Sequence, residues 1–147
     1  MSLERFVEAQ EKIYIQTATK TYDLALSEIR NGKKVTHWMW YIFPQLEGLG
    51  ISYKSNFYGL KDLAEAEAYI QHPILGYRLI EISQALFALN ETNPEKIVGH
   101  GDHNKLCSSM TLFSKVHNVH PIFHQVLEKY YSGKMDEKTL KKVVKRA

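Results

Sequence analysis

Apolar side chains recur every three to four residues along most of this 147-residue chain. That spacing places them on one face of an α-helix, whereas a half-buried strand would alternate apolar and polar residues. The sequence shows no sustained alternation, and no Asn-Gly or Asp-Gly pair joins two strand-like runs. The length corresponds to one domain. The pattern therefore predicts an all-α fold, a single helical domain over 1–147 with about seven or eight helices.

Helix-ending signals divide this pattern into segments. Asn31-Gly32 is typical of a helix C-terminus, and His72-Pro73 separates two further helices. The segment 13–21, rich in β-branched residues, could be a frayed helix or a loop; 36–44 could be a short buried helix or a buried strand. A structured loop is expected at 45–56. Helices are expected near 3–10, 22–29, 62–70 and 75–89, with a short turn from 93, and then at 102–113, 121–131 and 137–144.

The composition excludes several classes of protein. With 44% hydrophobic and 24% charged residues, the chain is globular rather than disordered. The single Cys107 excludes an internal disulfide and fits a reducing compartment, and the stretch 1–11 lacks a signal-peptide core. No apolar run is long enough to span a membrane, and a net charge of +3 argues against a nucleic-acid partner. We expect a soluble, cytoplasmic protein, with the oligomeric state left open.

An aromatic segment is the first candidate for a functional site. Trp and Tyr combine a large apolar surface with a polar group that needs a partner, which suits the wall of a pocket. A histidine side chain gains and loses a proton near neutral pH, which makes His37 the candidate catalytic acid–base group. In the alternative interpretation the whole segment is core. The candidate residues here are His37, Trp38, Trp40, Tyr41, Phe43 and Gln45.

The second candidate is the start of the helix that Asp102 is expected to cap. Lys105 and Ser109 are four residues apart and face the same way, with Ser108 beside them. A lysine, two hydroxyls and free helix amides can hold an anion or a phosphate, and Arg78 would add a second cation. The alternative is that both serines bond to carbonyls one turn earlier and serve packing alone.

Other reactive side chains point less clearly to a site. His117, His120 and His124 have metal-like spacing, but Pro121 interrupts any shared helix face. His100 and His103 around Asp102 are a second pair considered as metal ligands. The sequence nonetheless predicts no metal site and no cofactor. Cys107 lies away from a helix N-terminus, so we expect a packed thiol rather than a nucleophile.

Several motifs resemble a bacterial family known as domain of unknown function 1810, sometimes labelled calpastatin. The resemblance covers essentially the whole chain and implies a helical, orthogonally packed single domain with no established activity. The segment 15–20 departs from the family pattern as an insertion, and the pattern does not call for His103 or Cys107. The matching motifs are Leu3 to Gln10, Tyr22 to Lys34, Thr36 to Trp40, Phe43 to Leu46, Gly48 to Gly50, His72 to Leu79, Asp102, Lys105 to Leu106, Ser108 to Phe113 and Lys129 to Tyr131.

A fainter similarity, at the level of fold alone, is to the NADAR group of helical enzymes, which hydrolyse N-glycosidic bonds in ADP-ribose-type compounds. No catalytic acid aligns with that group. The leading hypothesis is a pocket that binds a small anionic or nucleotide-like ligand, with hydrolysis of that ligand left open. The alternative is a non-enzymatic interaction module that uses an exposed aromatic patch.

Overall fold

The computed structural model describes residues 2–146, which form ten helices and one short hairpin. The sequence predicted an all-α fold, and the chain is mainly helical with one small two-stranded sheet. The helix count exceeds the expected seven or eight, since two segments considered above each contain a short helix, α3 and α4. The elements are α1 (Glu4–Glu11), β1 (Ile13–Tyr14), β2 (Thr19–Lys20), α2 (Thr21–Arg30), α3 (Met39–Ile42), α4 (Tyr53–Phe57), α5 (Leu63–Gln71), α6 (Leu75–Phe87), α7 (Pro94–Val98), α8 (His103–Ser114), α9 (Ile122–Tyr131) and α10 (Glu137–Lys145).

Helix α6 occupies the centre of one continuous hydrophobic core. Its face of Leu75, Leu79, Ile82 and Leu86 is fully buried and packs among α2, α5 and α9. Helix α8 packs against α9 and buries nearly all of its second half. Within 2–146, no helix is both long and apolar enough to cross a membrane.

The sequence predicted a frayed helix or a loop for segment 13–21, and the structure shows a hairpin there instead. Ile13–Tyr14 and Thr19–Lys20 pair as an antiparallel hairpin, and α2 begins directly afterwards. Its tight turn places Ala18 in the left-handed region, at φ 54°. Hairpin turns normally use Gly, Asn or Asp there, so the residues carried no hairpin signal.

The expected loop at 45–56 instead contains the start of α4. The Ser52 hydroxyl accepts a hydrogen bond from the Ser55 amide and caps this short helix. The buried Arg5 guanidinium donates to the Phe57 and Gly59 carbonyls and pairs with Glu65 at 3.6 Å. These contacts fix the chain after α4 against α1, so the region is ordered by a distant cation rather than by local propensity.

The Glu28 carboxylate organises the turn between α2 and α3. It accepts hydrogen bonds from the Val35 and Thr36 amides and from the Trp38 indole N–H at 2.9 Å. The Thr36 hydroxyl also donates to it, at 2.7 Å. Burial alone would raise the pKa of Glu28, but these hydrogen bonds outweigh burial and hold the pKa below its usual value of 4.5.

The helix-or-strand question in the aromatic segment resolves as a short helix. Helix α3 covers only Met39–Ile42, so His37 lies outside it and no common helical face joins His37 to Trp40. Pro44 and the extended backbone around it then lead into Gln45, whose carbonyl accepts from the Leu60 amide. The short helix turns Trp38 inward and leaves Trp40 half-buried.

Gly76 marks the closest approach of two helices. A Cβ atom at this position would lie 1.9 Å from the Ile70 carbonyl oxygen at the end of α5. We therefore expect Gly76→Ala to destabilise the protein by roughly 1–3 kcal/mol through overpacking, measured by denaturant unfolding. Gly101→Ala is the matched control, because nothing lies within 4 Å of its Cβ position. Equal stability losses in both variants would contradict the close-packing explanation.

The hydrogen bonds to Glu28 should make the stability of the protein depend on pH. Because the folded-state pKa is depressed, their contribution to stability is full above about pH 4.5 and is lost as the pH falls through the folded value. Glu28→Gln should lower the free energy of unfolding by roughly 2 kcal/mol at pH 7. The gap between the two proteins should shrink below pH 4.5, as measured by urea unfolding across a pH series. A gap independent of pH would show that the charge of Glu28 contributes nothing.

Candidate functional site

An open cleft of about 720 Å³ lies where three parts of the chain meet. The aromatic segment and the loop after it form one side, the first half of α8 forms the floor, and the turn between α9 and α10 forms the other side. Its lining mixes apolar and aromatic side chains with five charged ones, and its volume is in the range of small-molecule sites. The lining residues are Trp40, Gln45, Leu49, Gly50, Gly101, Asn104, Lys105, Cys107, Ser108, Tyr131, Lys134, Met135, Asp136, Glu137 and Lys138.

A chain of charged and aromatic contacts builds the wall between α3 and α8. The Asp102 carboxylate binds Lys34 and Lys105, each at 2.9 Å. The Lys105 ammonium lies 4.4 Å from the centre of the Trp40 ring, and the Lys34 ammonium lies 5.1 Å from the Trp38 ring. One carboxylate therefore places two cations over two tryptophans, and each cation–π contact adds attraction to its ion pair.

Asp102 does not act as the expected helix cap. In the part of the chain that the structure describes, its side chain makes no capping hydrogen bond to the amides of α8. Burial would raise the pKa of Asp102, but hydrogen bonds from Lys34 and Lys105 outweigh it and keep the pKa below its ordinary value. The carboxylate is charged and fully engaged by the two lysines.

The opposite wall is held by contacts that cross from α8 to the α9–α10 turn. The Tyr131 hydroxyl donates to the His103 carbonyl at 2.7 Å, and the Cys107 thiol donates to the Lys134 carbonyl at 3.6 Å. The Asp136 amide donates to the buried Thr111 hydroxyl. Ser132 and Gly133 both have positive φ, which reverses the chain so that α10 starts beside α8.

The charges around the cleft favour an anion on balance. Lys105, Lys134 and Lys138 border it, against Asp136 and Glu137. The Asp136 carboxylate is occupied in capping α10, where it accepts from the Thr139 amide and hydroxyl. Lys134 and Lys138 are exposed, and Lys105 is half-buried.

Four of the predicted site residues meet at this cleft: Trp40, Gln45, Lys105 and Ser108. They come from the two motifs that the sequence singled out, which the fold brings together across about 60 residues of chain. The Ser108 hydroxyl donates to the Asn104 carbonyl one turn earlier, as the packing alternative expects. Its side chain still borders the cleft.

The other predicted residues lie elsewhere. Trp38 and Phe43 are core, each 1% exposed, and Tyr41 packs its ring against Tyr58. His37 is exposed and does not line the cleft, and its carbonyl accepts from the Tyr41 hydroxyl. His37, the candidate catalytic group, is thus placed away from the residues it was expected to serve.

Arg78 and Ser109 are also separate from the cleft. The Arg78 guanidinium pairs with Glu11 at 2.5 Å and donates to the Gln10 side chain, which ties α6 to α1. Ser109 is fully buried, and its hydroxyl finds no hydrogen-bond partner among the residues the structure describes. Arg78 is engaged by Glu11 and Gln10, and Ser109 lies in the core. Neither residue therefore lies beside Lys105 at the cleft.

The ionisable groups of the cleft suit binding better than catalysis. Burial raises the pKa of the Cys107 thiol to about 11, so the thiol is protonated at neutral pH. Burial likewise raises the pKa of Tyr131. Among the residues described, the cleft brings together no activated nucleophile with a neighbouring general base.

Sequence reasoning missed most of the second wall. Its residues, 134–138, are separated from Trp40 by more than 90 positions and form no motif of their own. Only the Lys129-Tyr130-Tyr131 motif of the resemblance touched this region. The role of Lys34 was also missed, because an ion pair across α2–α3 and α8 depends on the tertiary fold.

The five histidines that the sequence offered as metal ligands fall into two groups. His117, His120 and His124 are exposed, as expected of solvated side chains. His100 and His103 lie close to Glu95, and the ligand atoms of the three residues are all within 4.8 Å of one another. Among the residues that the structure describes, these three are the ones placed to hold a metal ion.

The raised pKa of Cys107 predicts slow alkylation. A pKa about two units above the ordinary 9.0 lowers the thiolate fraction at neutral pH about a hundredfold. Iodoacetamide should therefore modify the folded protein more slowly than the denatured chain, with a rate that keeps rising up to about pH 11. Mass spectrometry of quenched time points measures this rate. A rate that levels off below pH 9 would contradict the assigned environment.

The comparisons with known proteins agree with this architecture. The conserved hypothetical protein Rv1873 from Mycobacterium tuberculosis, known from a crystal structure, is 41% identical to this chain. It superimposes with a TM-score of 0.89, over 97% of this chain and 96% of that one. No curated protein matches the sequence. The family described as protein of unknown function (DUF1810) matches residues 1–143, and the chain belongs to that family.

Proposed function

We propose that the cleft binds a small anionic ligand, with its anionic group beside Lys105 and its apolar part along Trp40 and Leu49. The observation that carries the proposal is the position of Lys105, whose ammonium lies over Trp40 and against Asp102 at the cleft wall. An ammonium has three protons to donate, and Asp102 takes one of them. The remaining donors are available to a ligand.

The cleft also suits the size and mixed polarity of such a ligand. Its volume of about 720 Å³ falls in the range of small-molecule sites. Lys134 and Lys138 supply further positive charge opposite Lys105, while Met135 and Leu49 supply apolar contact. Lys105 covers one face of Trp40, so an aromatic ring could stack on that face only by displacing Lys105. The proposal therefore places the anionic group of the ligand, rather than a ring, beside Lys105.

Binding without hydrolysis fits these residues best. Cys107 is protonated, Asp136 is engaged as a helix cap, His37 lies outside the cleft, and Glu137, the other carboxylate of the lining, is exposed to solvent. A hydrolase would need a general base within hydrogen-bond reach of its substrate. Trp40, the one tryptophan at the cleft among the residues described, offers an aromatic surface to a nucleobase. A nucleotide-like ligand therefore stays part of the hypothesis.

The interaction-module alternative rests on different residues from those first considered. Trp38 and Phe43 are buried and cannot contribute to an exposed aromatic patch. Ile51 and Tyr53, which follow Gly50 at the cleft edge, are 100% and 77% exposed. A second protein that contacts these two side chains would leave Lys105 without a role, so we favour the ligand hypothesis.

The test is a ligand titration with AMP, adenosine and inorganic phosphate. A ligand at about a hundredfold over its dissociation constant adds about 2.7 kcal/mol of stability, which thermal unfolding detects. We expect AMP and phosphate to stabilise the protein and adenosine to have little effect. Lys105→Met should weaken binding about tenfold or more, because it removes a charge-assisted hydrogen bond.

Two variants separate the cleft from the rest of the surface. Lys115→Met is the matched control, since Lys115 is exposed at the far end of α8 and does not line the cleft. Trp40→Phe leaves only the buried Trp38, so the change in acrylamide quenching on ligand addition should disappear. Equal affinity in Lys105→Met and Lys115→Met, or a flat titration with every probe, would contradict the proposal.

A further inference from the structure

The turn between α7 and α8 brings three metal-ligating side chains together. The Glu95 Oε1 atom lies 3.2 Å from His103 Nε2 and 3.5 Å from His100 Nδ1. The two imidazole rings are 5.7 Å apart, centre to centre. The remaining ligand-atom separation, between the two histidines, is within 4.8 Å.

We propose that Glu95, His100 and His103 form a binding site for a divalent transition-metal ion, with Zn²⁺ as the best-fitting ion. Zinc binds histidine nitrogen and carboxylate oxygen at about 2.0–2.2 Å, so two ligands of a tetrahedral site are separated by about 3.3–3.6 Å. The Glu95–His100 separation of 3.5 Å matches that edge length, and the Glu95–His103 separation of 3.2 Å is slightly shorter than it. Two imidazoles with one carboxylate select a transition metal over Mg²⁺ or Ca²⁺, which prefer oxygen ligands.

The backbone holds the ligands in place without the ion. The Glu95 carbonyl accepts from the Gly99 amide at 2.9 Å, and the Gly99 carbonyl accepts from the His103 amide at 3.1 Å. Gly99 makes this turn possible with φ of 95°, a conformation that other residues rarely adopt. The Tyr131 hydroxyl further binds the His103 carbonyl. These bonds join the end of α7 to the first turn of α8.

The surroundings leave one coordination position open to water. The side chain of His100 is 90% exposed and that of Glu95 is 46% exposed, so solvent reaches the ion from one side. Asp102, the nearest further carboxylate in the chain, is engaged by Lys34 and Lys105 and does not supply a fourth ligand. Three protein ligands and one water describe an exchangeable site rather than a closed structural one.

The site is separate from the proposed ligand cleft. Glu95, His100 and His103 do not line the cleft, whereas their neighbours Gly101 and Asn104 do. Failure of the anion titrations would therefore leave the metal proposal standing, and the reverse also holds.

The experiment is a Co²⁺ titration of the untagged full chain, followed by visible d–d absorption and by competition with Zn²⁺. We expect one ion per chain, displaced by Zn²⁺. His103→Ala and Glu95→Gln should each raise the dissociation constant more than tenfold, since each removes a ligand. His100→Ala serves as the variant that cannot disturb the core, because its side chain is almost wholly in solvent.

His117→Ala is the matched control, an exposed histidine outside the cluster. It should leave the affinity and the spectrum unchanged, and circular dichroism should show that every variant retains the helical fold. The proposal is overturned if wild-type protein binds no Co²⁺, or if binding survives undiminished in His100→Ala and His103→Ala. It is equally overturned if His117→Ala lowers the affinity as much as His103→Ala does.

Discussion

One buried carboxylate determines how the most unusual part of this sequence folds. Glu28 is 7% exposed, and two backbone amides, one hydroxyl and one indole converge on it. An isolated buried charge would be strongly unfavourable, so the four donors and the carboxylate require one another. Their geometry sets the path of the chain between α2 and α3. Trp38 is thereby directed into the core, and Trp40, two residues later in α3, lines the cleft.

Helical periodicity allowed most of the fold to be predicted. The stripes around Leu26, Leu79 and Met110 are buried as the spacing required. The hairpin at 13–20 was missed because Ala18 adopts a left-handed conformation, which alanine rarely does. Helix α4 was missed because Arg5, about 50 residues earlier, stabilises the chain that follows it. Local patterns cannot report such distant partners.

The candidate site shows the same division. Two motifs, one rich in aromatic residues and one with a lysine beside two serines, led to the prediction of Trp40, Gln45, Lys105 and Ser108 as site residues. Residue type alone could not say that Trp38 and Phe43 face the core, because tryptophan and phenylalanine serve either environment. Asp102 was expected to cap a helix and instead bridges two lysines. The same carboxylate suits both roles, and the positions of Lys34 and Lys105 decide between them.

Charge is concentrated at the beginning of α8. Asp102 lies between His100 and His103 in the chain, and Tyr131 binds the carbonyl of His103 from α9. Main-chain hydrogen bonds through Gly99 join the end of α7 to the start of α8. Because Tyr131 also lines the cleft, one side chain connects this turn to the second wall of the cleft.

The second wall of the cleft comes from residues 131–138, near the end of the chain, whereas the first comes from residues 40–50. Helix α9 packs against both α6 and α8, so the helix that completes the core also carries the turn that forms this wall. The hydrogen bond from the Asp136 amide to the Thr111 hydroxyl holds that turn against α8. A substitution that loosens α9 in the interior would therefore also displace one wall of the cleft, so the shape of the cleft depends on the packing of the core.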